Sequence, residues 1–218
     1  MNTFRTAPIA ISLALTIGAT GASQAAIVSF NANPFANSAV TLNDGIRQIT
    51  AVNQIQLASF DVANDAFAFN RDVFGLGSSL TFVNALASAL PAGGADVIVL
   101  QNGNDPANPT AAFGAAAAAN LIAAALDDGI ALDGFFVYFN SVLGVNRLVY
   151  STNLSVNTAD LSILARINSP TGSNAISALP TLRAENFAAV PEPSSYALAL
   201  AALMGVAVVS RRPKKIAA

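Results

Sequence analysis

The residue types that this chain lacks restrict the chemistry it could perform. Its 218 residues include no His and no Cys, and its only lysines are Lys214 and Lys215, near the C-terminus. A Ser-His-Asp triad, a Cys nucleophile and a His/Cys zinc site are therefore excluded, as is a Schiff-base lysine before residue 214. Carboxylates remain for acid–base chemistry, and we predict no cofactor and no metal site.

Paired carboxylates are the strongest candidates for catalysis. Glycoside hydrolysis requires two carboxyl groups roughly 5 to 10 Å apart. The neighbours Asp127 and Asp128, or Asp61 with Asp65 or Asp72, could supply such a pair. A structural role is favoured for each, because the first two stand at a predicted helix end and the others in polar loops. We therefore predict no catalytic residue and no enzyme, with a carbohydrate-active hydrolase using paired Asp as the alternative.

Two further features could bind a ligand without turnover. The loop Asn102-Gly103-Asn104-Asp105 offers oxygen atoms to calcium, but it lacks the regular Asp spacing and terminal Glu of an EF-hand. Its composition is also common in turns. Tyr138, Tyr150 and the Phe residues could stack on sugar rings, although aromatic residues on strands are more often core. A glycan- or calcium-binding adhesion module is therefore another alternative.

The last 29 residues form three consecutive zones. The segment Val190-Pro191-Glu192-Pro193-Ser194 is held extended by its two prolines. An uncharged apolar run from Tyr196 to Val209 follows; its 14 residues fall short of the roughly 20 that span a bilayer, so length alone also fits a buried core helix. The third zone is a cationic stop-transfer end, which consists of Arg211, Arg212, Lys214 and Lys215.

This order of zones resembles the PEP-CTERM sorting signal of exported bacterial proteins. The resemblance implies that the membrane enzyme exosortase processes the tail. Because such proteins are associated with bacteria that make exopolysaccharide, it also implies a role in the extracellular matrix or biofilm, with exopolysaccharide as a partner. The segment from Gly134 to Ile167 resembles one that recurs in uncharacterised PEP-CTERM proteins, and this likeness implies no activity.

The N-terminus has the three regions of a secretory signal peptide. Arg5 precedes an apolar run at residues 7–19, and Ser23 and Ala25 occupy positions −3 and −1 of a cut between Ala25 and Ala26. Cations near both chain ends favour the cytoplasmic side of the inner membrane. We therefore predict that the secretion translocon exports the intervening chain. The C-terminal helix would anchor it transiently before it reaches the cell surface or the extracellular space.

Three regions follow from these boundaries: a signal peptide at residues 1–25, an exported domain at 26–189 and the sorting signal at 190–215. The exported domain has five Arg and eleven acidic residues, a formal charge of −6. No basic stripe is present to neutralise phosphates, so we predict no nucleic-acid partner. The lack of Cys is compatible with an exported protein without proving export.

The apolar pattern predicts a single compact α+β domain in which an Ala-rich helix packs on a mainly antiparallel sheet. Asn108 and Pro109 suit the start of this helix, which is expected to run to Leu126 and to end at Gly129. Asn174 is expected to cap a second, short helix.

Strand predictions rest on short apolar and aromatic runs between turn residues. The runs at 95–100, 134–140, 147–151 and 161–167 are predicted strands, the middle two as a hairpin. Residues 27–35 fit a strand or an extended arm, 46–57 and 80–90 fit a helix or a strand, and 61–77 fit a loop with a short element.

Overall fold

Apolar strands form two sheets in the computed structural model, which describes residues 25–36, 38–39, 41–42, 44–127 and 132–191. The described strands are β1 (Ile27–Phe30), β2 (Ile49–Thr50), β3 (Ile55–Leu57), β4 (Ala66–Asn70), β5 (Phe82–Ala85), β6 (Val97–Leu100), β7 (Gly134–Asn140), β8 (Val145–Ser151), β9 (Leu161–Ile167) and β10 (Phe187–Val190). The described α-helices are α1 (Arg71–Phe74), α2 (Ala115–Ala125) and α3 (Ser173–Ala178). The result is one sheet-rich domain with a few helices, consistent with the predicted α+β class.

The larger sheet has seven strands in the order β2-β9-β8-β7-β6-β5, with β3 also paired to β9. β7 and β8 form the predicted antiparallel hairpin, and β9 adds to β8 in the antiparallel direction. The other pairings in this sheet are parallel. The smaller sheet, β1-β4-β10, is parallel throughout.

The prediction of a mainly antiparallel sheet was therefore wrong, because six of the eight described pairings are parallel. A hairpin joins strands that are neighbours in sequence, so its turn is visible in the sequence. A parallel pair needs a long crossover, and here α2 is the crossover that joins β6 to β7. The pairings of β2 and β3 with β9 span more than 100 residues and leave no local pattern.

Strands β6 and β7 form the buried centre of the larger sheet. All four residues of β6 have no exposed surface, and all seven of β7 are buried. Central parallel strands are covered on both faces, which explains their continuous apolar sequences. The first residue of β7 is a glycine, Gly134, and a larger residue would not fit there, because its Cβ atom would lie 2.6 Å from the carbonyl oxygen of Asp96.

Helix α2 is shorter than predicted. It begins after Gly114 instead of at Asn108, whose N–H bonds to the Asp105 carbonyl in a turn. Phe113 is fixed to the end of β7, because its N–H donates to Ser141 Oγ at 2.8 Å and its carbonyl accepts the Ser141 N–H; Gly114, the N-cap, is extended. The helix ends at Ala125, and Gly129, the predicted stop, lies outside the described residues.

The smaller sheet contains a strand that the sequence did not predict. Residues 61–77 were expected to be a loop and short element, but β4 is the central strand of this sheet. Phe67 stacks on Phe60 at 4.5 Å between ring centroids, and Phe69 stacks on Phe135 of the larger sheet at 3.8 Å. Polar Asn and Asp residues on both sides of β4 obscured it, and its two partners come from opposite ends of the domain.

The remaining predictions have mixed outcomes. Strands β1, β6, β7, β8 and β9 confirm the predicted runs, and residues 46–57 form strands β2 and β3. Helix α3 exists, but its N-cap is Gly172, with Asn174 inside the helix. The predicted signal peptide, except Ala25, lies outside the described residues, as does the predicted anchor helix. Within the described part, no helix has the length and apolar character required to cross a membrane.

Candidate functional site

The sorting segment begins inside the folded domain. Val190, its first residue, is the last residue of β10 and pairs with Asn70 of β4. Pro191 follows and is half-buried. The rest of the sorting signal lies outside the described residues; it comprises Glu192, Pro193, Ser194, the apolar run and the cations Arg211, Arg212, Lys214 and Lys215.

Strand β10 forms because a short apolar run lies between two residues that define its ends. Asn186 precedes the run, is almost fully buried, and donates through Nδ2 to the carbonyls of Val62 and Asp65 at 2.8 Å each. Pro191 has no N–H and cannot continue the ladder. The run Phe187–Val190 between them was a recognisable strand signal that the sequence prediction missed. No spacer therefore separates the sheet from the Pro-Glu-Pro sequence.

The predicted signal-cleavage point lies at the other end of the same sheet. Ala25 and Ala26 are exposed, and β1 starts at the next residue. β1 and β10 are the two neighbours of β4, with Ile27 opposite the first residue of β4 and Val190 opposite the last. Ile27, beside the predicted cut, and Val190, beside the Pro-Glu-Pro sequence, therefore lie at opposite ends of β4, about 13 Å apart along its direction.

The candidate pair Asp61 and Asp65 is brought together, but in a closed turn. Asp65 Oδ2 accepts the N–H of Asp61 at 2.8 Å. The Asp61 carboxylate accepts from Asn64 Nδ2 at 2.7 Å and from the N–H of Ala63 at 3.0 Å. These bonds, that from Asn64 first, lower the pKa of Asp61. A general acid for glycoside hydrolysis needs a raised pKa, so this geometry fits turn formation better than catalysis.

The other acidic candidates are also in structural positions. Asp72 is exposed in the first turn of α1, where its N–H bonds to the side chain of the N-cap residue Asn70 at 2.9 Å. Asp127 donates its N–H to the Ala92 carbonyl after α2. Asp128 is outside the described residues, so the geometry of the Asp127-Asp128 pair is not defined.

Two side-chain oxygens of the candidate calcium loop accept hydrogen bonds from backbone N–H groups. Asn102 is buried, and its Oδ1 accepts the N–H of Ala87 at 2.8 Å. Asp105 Oδ1 accepts the N–H of Ala107 at 2.9 Å, as in an ordinary Asx turn. Among the described residues, no group of three or more acidic side chains is arranged to hold a metal ion.

Of the two tyrosine candidates, Tyr138 belongs to the core and Tyr150 packs against its edge. Tyr138 has no exposed surface, and its hydroxyl accepts from Asn140 Nδ2 at 3.0 Å. Burial raises the pKa of Tyr138. Tyr150 is half-buried and donates to Asp133 Oδ2 at 3.1 Å; burial and then the negative charge of Asp133 raise its pKa.

Surface hollows occur among the described residues. One, about 370 Å³, lies between α2 and the loop after β8 and is lined by Asn120, Ser155 and Asn157 among others. A second, about 330 Å³, includes Tyr150 and Phe35 in its wall. A third, about 240 Å³, contains Asp65, Arg183 and Glu185 and lies beside the smaller sheet. Of the predicted catalytic pairs, only Asp65 lines one of these hollows.

Comparison with known families identifies the C-terminal segment. The family model for the PEP-CTERM protein-sorting motif matches residues 189–215. The match includes the predicted sorting residues and the cationic end, and it supports an exported protein that exosortase sorts. No curated protein and no solved structure matches the chain.

Proposed function

We propose that this PEP-CTERM protein is a non-enzymatic component of the cell envelope or extracellular matrix, delivered by export and by exosortase processing of its tail. The observation that supports this most is the family match at residues 189–215, which begins within the last described strand. A matrix role linked to exopolysaccharide or biofilm rests on the family resemblance. Exosortase, the translocon and the inner membrane are the expected partners.

The Pro-Glu-Pro sequence is the part that we expect exosortase to read. Proline at positions 191 and 193 favours an extended backbone around Glu192, so we expect no helix or sheet to compete for its peptide groups. The apolar run would hold this sequence near the membrane surface, and the four cations would resist passage through the membrane. Recognition and retention would therefore depend on different residues of the tail.

The non-enzymatic assignment rests on the available side chains. The chain has no His or Cys, and its two lysines lie in the matched tail. Of the described catalytic candidates, Asp61 and Asp65 accept hydrogen bonds from backbone N–H groups in one turn, and Asp72 is exposed in the first turn of α1. Such groups are held for structure, whereas a catalytic pair would face one shared cavity.

The test replaces Pro191-Glu192-Pro193 by three Ala in the full chain, expressed in a host that has exosortase. We expect export and membrane insertion to continue while the tail remains uncut, because the recognised sequence is lost and the apolar run is intact. Intact-mass analysis of the protein from membrane and medium reports both cleavages at once. Processing and distribution identical to wild type would contradict the proposal.

A second variant separates recognition from retention. This variant replaces the four cations by Ser and keeps the Pro-Glu-Pro sequence; the cations are Arg211, Arg212, Lys214 and Lys215. We expect it to reduce the amount of protein retained in the membrane more than it reduces cleavage by exosortase. The enzymatic alternative has its own assay, since release of reducing sugar from exopolysaccharide that disappears in Asp127→Asn would replace this proposal with a hydrolase.

A further inference from the structure

The backbone nitrogen of Ala26 lies directly against a carboxylate. Its N–H donates to Asp65 Oδ1 at 2.8 Å, and the Ala26 carbonyl accepts the N–H of Ala66 at 3.0 Å. The strand β1 starts at the next residue, with Ile27 opposite Ala66. The position of Ala26 relative to Asp65 is therefore set by the pairing of β1 with β4, although Ala26 itself is exposed.

The Asp65 carboxylate is also held in place. Its Oδ2 accepts the N–H of Asp61 at 2.8 Å, and its own N–H donates to the Asp61 carbonyl at 2.7 Å. Its carbonyl accepts from Asn186 Nδ2 at 2.8 Å. These bonds hold the carboxylate with Oδ1 directed at the Ala26 nitrogen. The Asp65 side chain would therefore not need to change conformation if that nitrogen became positively charged.

We propose that Asp65 is a binding site for the α-ammonium group that forms on Ala26 when the Ala25–Ala26 bond is cut. The inference rests on the export in the proposed function, because export supplies the cleavage. Hydrolysis of this peptide bond consumes one water molecule, leaves a carboxylate on Ala25 and converts the neutral amide N–H of Ala26 into a primary amine at the same nitrogen. An α-amino group has an ordinary pKa of about 7.7 to 8.0, so it is mainly protonated at pH 7. The existing hydrogen bond then becomes an ion pair.

This pair ties maturation to the stability of the smaller sheet. In the uncut chain the Asp65 carboxylate accepts from a neutral donor, whereas in the mature chain it neutralises a charge at the start of β1. The mature chain therefore holds β1 on β4 more firmly than its precursor does. The N-terminal amine is also less available to reagents and to aminopeptidases, because it is held protonated and bonded.

Other charged groups lie near Asp65. Asp61 adds negative charge in the turn that holds Asp65, which also favours the protonated amine. Arg183 and Glu185 line the 240 Å³ hollow with Asp65, and their opposite charges offset each other. Since Ala26 is exposed, solvent and salt weaken the pair, and the expected effect is that of a surface ion pair.

The amine content of this chain makes a direct test possible. Apart from the N-terminus, its only amines are Lys214 and Lys215, which belong to the matched tail. The full chain is expressed in an exosortase-containing host, and the mature protein is recovered and its first residue determined. The rate at which an acetylating reagent labels the N-terminal amine at pH 7 is then measured by mass spectrometry. Only the unprotonated amine reacts.

We expect Asp65→Asn to be labelled about two- to fivefold faster than wild type at low salt, the range for an exposed ion pair. The difference should shrink in 1 M NaCl, where the Debye length is only about 3 Å. The matched control is Asp44→Asn, which removes the same charge from an exposed turn where Asp44 Oδ1 accepts the N–H of Ile46. Its labelling rate should equal that of wild type.

A second variant covers the case in which Asp65→Asn fails to fold. Inserting Gly-Ser between Ala25 and Ala26 keeps Asp65 and the Ala26 N–H, but it moves the new amine about 7 Å along the chain. This variant should also be labelled faster than wild type. Equal low-salt rates in wild type and the insertion variant would overturn the ion pair while leaving export intact. A first residue other than Ala26 would overturn the predicted cleavage and the inference together.

Discussion

Asn186 provides the most specific test of how the domain holds the strand that leads into the sorting signal. Its Nδ2 donates to the carbonyls of Val62 and Asp65 at 2.8 Å each, and its Oδ1 accepts the N–H of Arg183 at 2.9 Å. The Asn186 side chain is 3% exposed, and its three hydrogen bonds are part-buried. Asn186→Ala removes all three bonds and leaves two carbonyls and one N–H without this partner.

The expected cost follows from that count. A typical intramolecular hydrogen bond contributes about 1 kcal/mol net, so the free energy of unfolding should fall by about 3 kcal/mol. With a urea m-value of about 2 kcal/mol per M, the unfolding midpoint should fall by about 1.5 M. Equilibrium unfolding of the mature protein in urea, followed by far-UV circular dichroism, measures both quantities. The m-value should remain unchanged if the fold is retained.

Asn64→Ala is the matched control for this measurement. Asn64 belongs to the neighbouring turn, is exposed, and donates through Nδ2 to Asp61 Oδ2 at 2.7 Å. Because water can replace this partner, the loss should be below about 1 kcal/mol. If Asn186→Ala destabilised the protein no more than Asn64→Ala does, the structural role assigned to Asn186 would be refuted.

Two further predictions concern how pH, a chelator and a reductant affect the stability of the protein. Burial and Asp133 raise the pKa of Tyr150. The stability that the neutral Tyr150 contributes is therefore complete below about pH 10, the ordinary pKa of tyrosine, and is lost as the pH rises above it. Between pH 9 and pH 11 the melting temperature of Tyr150→Phe should fall less than that of wild type, and an equal fall would contradict this prediction. Thermal unfolding should be the same with and without EDTA or dithiothreitol, because the chain has neither Cys nor His; a large effect of EDTA would favour calcium at the Asn102–Asp105 loop.

Local sequence patterns predicted the elements whose partners are close in the chain. Strands β7 and β8 follow one another through a tight turn, so alternation and turn residues together indicated the hairpin. β6 was recognisable because it is a β-branched run between polar turns. The aromatic residues of β7 were expected to be core more often than binding surface, and Tyr138 is fully buried.

Long-range contacts explain what the sequence did not predict. β4 lies between β1 and β10, which are separated by more than 150 residues, and no local feature of β4 reveals either partner. Helix α2 starts after Gly114 and not at Asn108, and Ser141, after β7, bonds to both the N–H and the carbonyl of Phe113 just before this start. The residue types at Asn108 and Pro109 suit a helix start, but these tertiary hydrogen bonds hold the chain before Gly114 outside the helix.

The sorting signal in the tail and the limits on catalytic chemistry could be inferred from the sequence alone. Proline geometry, an uncharged run and clustered cations act locally, so the sorting motif at residues 189–215 is identifiable independently of the fold. The absence of His and Cys likewise restricts the chemistry whatever fold the chain adopts. The fold decided where the domain stops relative to that motif, and it placed Asp65 against the nitrogen of Ala26. Both depend on pairing across the smaller sheet, and sheet pairing joins residues according to their position in space, independently of their separation in sequence.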